Sequence, residues 1–392
     1  MPQRSAAYRY GIVDNSSGRW TAGAIYTQIL IRSLAAVCKG ERVQLHLLGN
    51  QGSDLDIAQL PVTVTPLKSP HYYRGEWRLR QLLGLPEKSG LFHTASENQI
   101  SVLLPLSDIP VKLRGIRTIG WIPDFQHLYL PQYFSLQECQ NRNIIYRRLA
   151  ERASLVMLSS RNAIEHFDAF VPAQTHKARL ASFPSLLAFE SPSPKLVSAR
   201  SRFHLPEKFA LVANQFWQHK NHLQVVEALV RLRRKGLRIP LVMTGLPADY
   251  RDPSNLVISQ VLQAVAAEGV GDQLSILGLV TSSDLLSLMR TAAVVIQPSR
   301  FEGWSTTVQD AKALGRPLLC SDIPVHREQA PEALGFFPCD RPDILGDLLA
   351  SHWSVLEPGP CLASEEGARA KEHTFALEHG RRVLNICQEA DA

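Results

Sequence analysis

Two acids on either side of a helix start carry the most specific chemistry in this sequence. Glu302 stands in Ser299-Arg300-Phe301-Glu302-Gly303-Trp304-Ser305, just after the β-branched run Val294-Val295-Ile296 and Gln297-Pro298. Asp310 follows eight positions later, and Gly315 and Pro317 end its segment. Ser305, Thr306 and Thr307 are residue types that cap helices. The spacing therefore predicts a strand, a polar loop, a helix from about 305 and a second strand over 318–320. A strand end that leads into a helix N-terminus is an anion site, because the first N–H groups lack partners and the positive end of the helix faces outward. Carboxylates beside such a site would repel a phosphate unless they hold the hydroxyls of something attached to it. A sugar nucleotide has both parts.

The elements that must position these residues alternate between strand-like and helix-like along the whole chain, the pattern of parallel α/β sheets. In the first half, 8–14, 43–49, 91–95, 117–124 and 154–160 read as strands, with helices from Gly23 to about Cys38 and over 141–153. The second half restarts with strands at 209–214, 239–245, 274–280 and 294–297, and helices at 221–235, 255–268 and 283–291. Ser282 or Ser283 offers the cap of the last of these. A Ser/Pro-rich stretch, 189–206, separates the halves. The expected organisation is an acceptor-side domain over 1–188, that linker, a nucleotide-sugar domain over 207–364 and a C-terminal helix over 365–392 packing back on the first domain. The fold class is α/β, two doubly wound Rossmann-like domains facing across a cleft, which bind ligands beyond the carboxyl ends of their strands.

Length supports this division, since 392 residues exceed what one core usually serves. No apolar run reaches the ~18 residues of a membrane span, and the N-terminus shows no signal-peptide stretch. Both point to a cytoplasmic protein. Six scattered cysteines without a CxxC pair read as buried thiols rather than a metal or disulfide framework. Residues 1–185 hold 21 basic against 13 acidic side chains, and the remainder 21 against 23. A basic first half suits an anionic neighbour such as a membrane surface or a phosphorylated acceptor. Arg74, Arg78 and Arg80 interleave with Tyr72, Tyr73 and Trp77, a pattern that more often marks a surface helix with its aromatics turned inward.

The segment SRFEGWSTTVQDAKALGRPLLCSDIP resembles the signature of the retaining glycosyltransferases of family 4, which have the GT-B architecture: two acids separated by seven residues, a small-residue helix, a Gly-x-Pro stop and an apolar strand ending in Ser-Asp. Here the second acid is Asp310 where the family usually has Glu. The resemblance implies that Glu302 contacts hydroxyls of the transferred sugar and Asp310 the ribose, with Gly303, Trp304, Ser305 and Thr306 meeting phosphate oxygens. ANQFWQHKNH (213–222) is similar to the family's donor-phosphate segment, with Lys220 at the Lys position and Asn214 where an Arg is usual. Lys220 would then stabilise charge on the leaving nucleoside diphosphate, a task a divalent metal performs elsewhere. Asn214 offers a neutral hydrogen bond in place of a guanidinium fork, with Gln215, His219 and His222 nearby. The turn at Gly18 and Gly23 resembles the family's N-terminal glycine loop, which faces the donor phosphates. Leu279 and Val280 fall where the family's backbone meets the base. Asp124, His127 and His93 are candidates to position or deprotonate an acceptor hydroxyl, followed by Glu97 and Asn98; Pro123 stands where a family His precedes that Asp.

The implied reaction moves a hexose-type sugar from a nucleotide-sugar donor to a hydroxyl of a glycan, lipid-linked or small-molecule acceptor, with no cofactor, no metal and no nucleic acid. Retention by same-face attack, with the leaving phosphate taking the acceptor proton, needs no pair of flanking carboxylates. Two other readings stay open: another GT-B sugar-nucleotide enzyme such as an epimerase or phosphorylase, and a non-catalytic binding or scaffold protein. A nicotinamide-dependent oxidoreductase is disfavoured, because Gly18 and Gly23 do not form a GxGxxG fingerprint.

Overall fold

The computed structural model describes residues 8–14, 21–39, 42–49, 55, 59–67, 90–109, 115–190, 199–249, 251–252 and 254–392. Gly18, the aromatic and basic 71–83 segment and the middle of the Ser/Pro stretch, 191–198, lie outside the described residues. Contacts divide the chain into two units, Met1–Phe125 with Gln140–Leu186 and Thr374–Ala392, and Gln126–Cys139 with Leu187–His373.

The first unit is built on a seven-stranded sheet in the order β3-β2-β1-β4-β5-β6-β7. The strands are β1 Tyr8–Val13, β2 Val43–Gly49, β3 Val62–Pro66, β4 Val102–Leu106, β5 Arg117–Ile122, β6 Leu155–Leu158 and β7 Ala178–Leu180. Every neighbouring pair is parallel, so each connection must cross over, and helices such as Thr21–Val37 and Arg161–Phe170 make those crossings. Helices on the faces leave the strands dry, and β4 and β6 are buried along their full lengths. Leu48, Leu103, Ile122, Phe125, Leu149 and Phe167 belong to one buried cluster here.

Residues 91–95, expected as a strand, instead form the helix Gly90–Glu97. Leu91, Thr94 and Ala95 fall at helical spacing and turn one face to the core. The strand of this region is β4, which follows. Its Pro105 argues against a central strand, and the β4–β5 register shifts between Leu103 and Leu106. The helix expected from Gly23 begins earlier, as Thr21–Val37, so that Gly23, the expected end of the glycine turn, is already helical and its carbonyl accepts from Thr27 Oγ1 (2.9 Å).

The second unit holds a six-stranded parallel sheet in the order β10-β9-β8-β11-β12-β13. Its strands are β8 Ala210–Ala213, β9 Leu241–Thr244, β10 Leu274–Ile276, β11 Val294–Gln297, β12 Leu318–Ser321 and β13 Gly335–Phe337. Alternate side chains serve opposite faces: Val294 and Ile296 join the cluster of Val226, Leu229 and Met243, while Val295 joins that of Phe209, Val308 and Leu318. The chain winds from β8 outward to β9 and β10, and from β11 outward to β12 and β13. The carboxyl ends of β8 and β11 therefore form the topological switch point, where open α/β sheets bind ligands.

The helix Ser282–Thr291 is capped by Thr281, not by Ser282 or Ser283, which are already helical. Thr281 has the extended backbone a cap needs, and its hydroxyl accepts from Asp284 N (3.1 Å) and donates to Asp284 Oδ2 (2.8 Å). The last helix, Leu362–Asp391, begins in the second unit and ends in the first. At its start Glu365 accepts from Arg290 (2.6 Å) and Arg369 (3.1 Å). Towards its end His379 Nδ1 donates to Ser182 O (3.0 Å) and Asp391 accepts from Ser101 Oγ (3.0 Å). Among the described residues no helix is long and apolar enough to cross a membrane. Both units are thus Rossmann-like parallel sheets with helices on their faces, in keeping with the expected fold class.

Candidate active site at the switch point of the second unit

Beyond β8 the chain passes Asn214 and makes a 3-10 turn, Gln218–Lys220, and a left-handed residue, Asn221, with φ 56°, before the helix His222–Arg234. Asn tolerates that backbone better than most side chains, and here it is held in place: Asn221 Oδ1 accepts from Arg300 Nη2 (2.9 Å) and its Nδ2 donates to Cys339 O (2.9 Å). Arg300 N also donates to His219 O (2.7 Å), which ties the loop after β11 to the turn after β8. The two loops bring Lys220 Nζ to 2.6 Å from Glu302 Oε1, with the side chains only 14% and 10% exposed.

Gln297, the last residue of β11, organises the rest. Its Nε2 donates to the same Glu302 Oε1 (3.0 Å) and to Ser305 Oγ (2.8 Å), and its Oε1 accepts from Asn214 Nδ2 (2.5 Å). Ser305 is the expected N-cap of the helix Thr306–Ala313, its hydroxyl accepting from Val308 N (3.3 Å). The Ser305 N–H is turned inward, onto Gln329 Oε1 (3.1 Å), so it is not offered to a ligand. Gln329 Nε2 donates back to Ser305 O (2.8 Å) and on to Gln309 Oε1 (3.0 Å). Gln309 Nε2 then reaches both carboxylate oxygens of Glu372, at 3.0 and 2.9 Å.

Three buried imidazoles surround the Lys220–Glu302 pair, and burial keeps all three neutral. It holds His219 well below its ordinary value, His222 down at about 3 and His326 at about 4. The Lys220 charge pushes each the same way, while the Glu302 carboxylate opposes this at His326. His222 Nε2 donates to Asn214 O (3.3 Å) and its ring stacks on Phe216 at 4.3 Å. His326 Nδ1 donates to Ser321 O (3.1 Å). Gly245, at the end of β9 with φ +139°, lets the chain pass so close that a Cβ there would lie 2.0 Å from Asn214 O.

The structure thus brings together Glu302, Lys220, Asn214 and Ser305 from separate stretches of sequence. Gly303 and Trp304 complete the half-buried loop, and Thr306 opens the helix. Asp310 lies one turn further along, half-buried. Leu279 is exposed and Val280 half-buried after Gly278, whose carbonyl accepts from Gly245 N (2.8 Å).

The residues expected on the acceptor side are less uniform. His93, expected at a strand end, is on the helix Gly90–Glu97, where it sits exposed, 3.2 Å from Glu97. Asn98 Nδ2 donates to Thr94 O (2.8 Å). His127 is buried, with its ring edge-on to Phe134 at 6.4 Å. Asp124 lies 3.9 Å from Arg142. The cysteines also divide: Cys38, Cys320 and Cys387 are buried as expected, Cys139 and Cys339 are half-buried, and Cys361 is exposed.

Sequence reasoning missed Gln297, Gln309 and Gln329. A signal existed at the first of these, since a Gln closing a fully buried parallel strand must find partners for both ends of its amide. It also missed Arg251, which grips Asp249 with two hydrogen bonds of 3.0 Å. The Arg251 guanidinium is flanked by Phe134 (5.1 Å) and Trp217 (4.9 Å). This pair borders a cavity of about 280 Å³ lined by Gln132, Tyr133, Ser135, Gln218 and Asp252.

Residues 197–339 match the family model described as glycosyl transferases group 1. No curated protein matches the chain by sequence. Among solved structures, a glycosyltransferase from Rickettsia africae has a TM-score of 0.65 at 16% identity, with 98% of each chain covered. Anabaena HepE in complex with UDP has a TM-score of 0.63 at 13% identity, with 97% of this chain and 100% of that one covered, and HepE is also solved with UDP-glucose. Sucrose-phosphate synthase from Thermosynechococcus elongatus has a TM-score of 0.60 at 14% identity, covering 98% and 96%. At these identities the structural likeness speaks for the fold, and the family match over the second unit adds the activity class. The chain has the GT-B fold and carries a glycosyl transferases group 1 domain over residues 197–339, which together support a glycosyltransferase.

Proposed function

We propose that the protein is a retaining glycosyltransferase of family 4 that takes a hexose-type sugar from a nucleotide-sugar donor to a hydroxyl of a glycan, lipid-linked or small-molecule acceptor. The observation that carries this reading is the Lys220–Glu302 pair at the switch point, a cation for a diphosphate beside a carboxylate for sugar hydroxyls. With His219, His222 and His326 neutral, Lys220 supplies the positive charge beside Glu302. Lys220 would stabilise the departing diphosphate as a fixed cation, which makes the transfer independent of a divalent metal. Glu302 would orient the sugar, and Asp310 the ribose. HepE, bound to UDP and to UDP-glucose, makes a uridine donor the first to test. Asp124, His127 and His93 remain our candidates for handling the acceptor, and the basic first half is our candidate for contact with an anionic membrane surface.

A thermal-shift screen with UDP, GDP, ADP and their glucose and mannose conjugates tests the donor, because a ligand of the native state raises its melting temperature by mass action. A shift with one nucleotide and its sugar is expected; the absence of any shift refutes the reading. Retention is tested by NMR of the anomeric product released from the donor that binds, and an inverted product overturns it. Metal independence predicts an unchanged rate in EDTA.

A further inference from the structure

Asn214 stands beside the proposed phosphate site, yet its amide nitrogen is turned away from any ligand and into Gln297 Oε1. Gln297 is fully buried and can form its two donor contacts, to Glu302 Oε1 and Ser305 Oγ, only with its nitrogen on the Glu302 side. If the amide flipped, its oxygen would face the carboxylate and the Ser305 oxygen, and Asn214 Nδ2 would meet an N–H. A donating Asn214 therefore fixes the Gln297 amide in one orientation. The result at Glu302 is asymmetric: Lys220 and Gln297 both hold Oε1, and no described residue donates to Oε2. Asn214 is fixed in turn by its own surroundings, with its carbonyl accepting from His222 and Gly245 packed against it.

We propose that Gln297, locked by Asn214, is the positioning residue of the glycosyl-transfer site: it pins Glu302 through Oε1 and so presents Oε2 to the sugar hydroxyls. This rests on the glycosyltransferase reading and deepens it. Asn214 acts through Gln297 in this arrangement and makes no phosphate contact, although it occupies the place where family members carry a phosphate-gripping Arg. Binding of the nucleotide runs through Lys220 and the helix start, so a loosened Glu302 harms transfer while leaving nucleotide affinity nearly intact.

The test uses the full chain and UDP-glucose, with release of UDP to water or acceptor as the readout and calorimetry for UDP. Gln297→Met keeps the volume and removes the amide. It is expected to lower kcat about ten- to a hundredfold, as misplacement of a reacting group by a fraction of an ångström to 1 Å does, with the Kd for UDP changed less than threefold. Asn214→Leu, which keeps much the same shape and cannot donate to Gln297, is expected to show the same split. In a Glu302→Gln background the Gln297→Met change is expected to cost less than threefold, because a residue that acts through another is non-additive with it. Equal losses in both backgrounds, or an unchanged kcat in Gln297→Met protein that still binds UDP, overturn the proposal. Failure of the unaltered protein to bind UDP and the other nucleotides overturns the underlying reading instead. Urea unfolding of each variant separates misfolding from misplacement, and Gln297→Asn serves as the milder substitution if Gln297→Met does not fold.

Discussion

Glu302→Gln should tighten UDP binding while it sharply lowers, without abolishing, sugar transfer, whereas Lys220→Met should weaken UDP binding. Lys220 Nζ is held at 2.6 Å by Glu302 Oε1, and only 14% of the Lys220 side chain is exposed. A diphosphate oxygen that takes the same ammonium would sit about 4 Å from that carboxylate oxygen, where two like charges repel by about 4 kcal/mol at an effective dielectric of 20. Water that enters with the ligand reduces this to a net effect on the order of 1 kcal/mol. Neutralising Glu302 with its isostere removes the repulsion and releases Lys220 from competition, yet leaves an oxygen for Gln297 to bond. UDP should then bind roughly three- to tenfold more tightly. Lys220→Met deletes a charge-assisted contact of about 1.5–3 kcal/mol, so UDP should bind about ten- to a hundredfold more weakly. Calorimetry at low salt with UDP reads both constants, and release of UDP from UDP-glucose should fall sharply in both variants. Weaker UDP binding in Glu302→Gln, of the size seen in Lys220→Met, would refute the reasoning, because the carboxylate would then be helping to hold the nucleotide.

Other consequences can be checked on the same protein. Gly245→Ala places a Cβ 2.0 Å from Asn214 O at a backbone φ of +139°, so urea unfolding should show a loss of about 3 kcal/mol or more; a loss below about 1 kcal/mol would mean the strand ends are not in that contact. His326 and His379 are pushed down to about 4, and His222 to about 3, by burial. Groups so depressed add stability that is present above their unfolded value of about 6.5 and is lost as pH falls towards the folded one. Stability should thus drop by about 2 kcal/mol per imidazole between pH 6.5 and pH 5, and a flat profile there would contradict their neutral burial. Cys361 is exposed and its thiol is lowered by hydrogen bonds from Ser364, whereas burial raises Cys320 and Cys387. Ellman's reagent should therefore label Cys361 first, with Cys38, Cys320 and Cys387 reacting only on unfolding; a Cys361→Ser protein that keeps the fast phase would refute this.

The second unit was the more legible because its strands are short apolar runs closed by unmistakable stops. Val294-Val295-Ile296 before Gln297-Pro298, and Leu318–Ser321 after Gly315-Arg316-Pro317, left little choice of period. The first unit misled where composition and context competed. Leu91, Phe92 and Ala95 suit a strand or a short helix equally well, and Pro105 disguised the true strand beside them. The site was readable as residue types, since a Lys and a Glu on two loops of one sheet end declare a charge problem and its solution. The means of holding them was not. Gln297 and Gln329 are ordinary strand-end and helix-end residues in sequence and Gln309 an ordinary helical one, and only the approach of Asn214 from 83 positions away, of Glu372 from 63 and of Gln329 to the 305–309 segment makes them partners. The burial of His127 was illegible for a related reason: a short helix, Gln126–Tyr129, turns it inward, and nothing in Phe125-Gln126-His127-Leu128 announces that turn.

The chemistry of those amides resolves the tension that the two acids pose. A helix start meant for a diphosphate cannot tolerate uncompensated negative charge in the dry ground beneath it, because a low-dielectric surround magnifies every such charge. The groups that buttress Ser305 and Glu302 from inside are Gln297, Gln329 and Gln309, all neutral and all buried. The amides connect to a carboxylate, Glu372, through Gln309. Glu302 meets its compensating charge on Lys220 directly. A carboxylate in place of Gln329 would set its charge against Ser305 O and Gln309 Oε1, the two acceptors that its Nε2 now serves, and directly under the helix start. Gln329→Glu should accordingly weaken UDP binding by about tenfold or more, even though the residue lies behind Ser305, since leaving those acceptors unserved beside a buried charge costs at least 1–3 kcal/mol. Gln329→Met removes the same hydrogen bonds without adding a charge, so the difference between the two variants isolates the electrostatic part. Equal UDP affinities for Glu and Met at this position, measured in protein shown by urea unfolding to be folded, would mean that the neutrality of the buttress has no bearing on the anion above it.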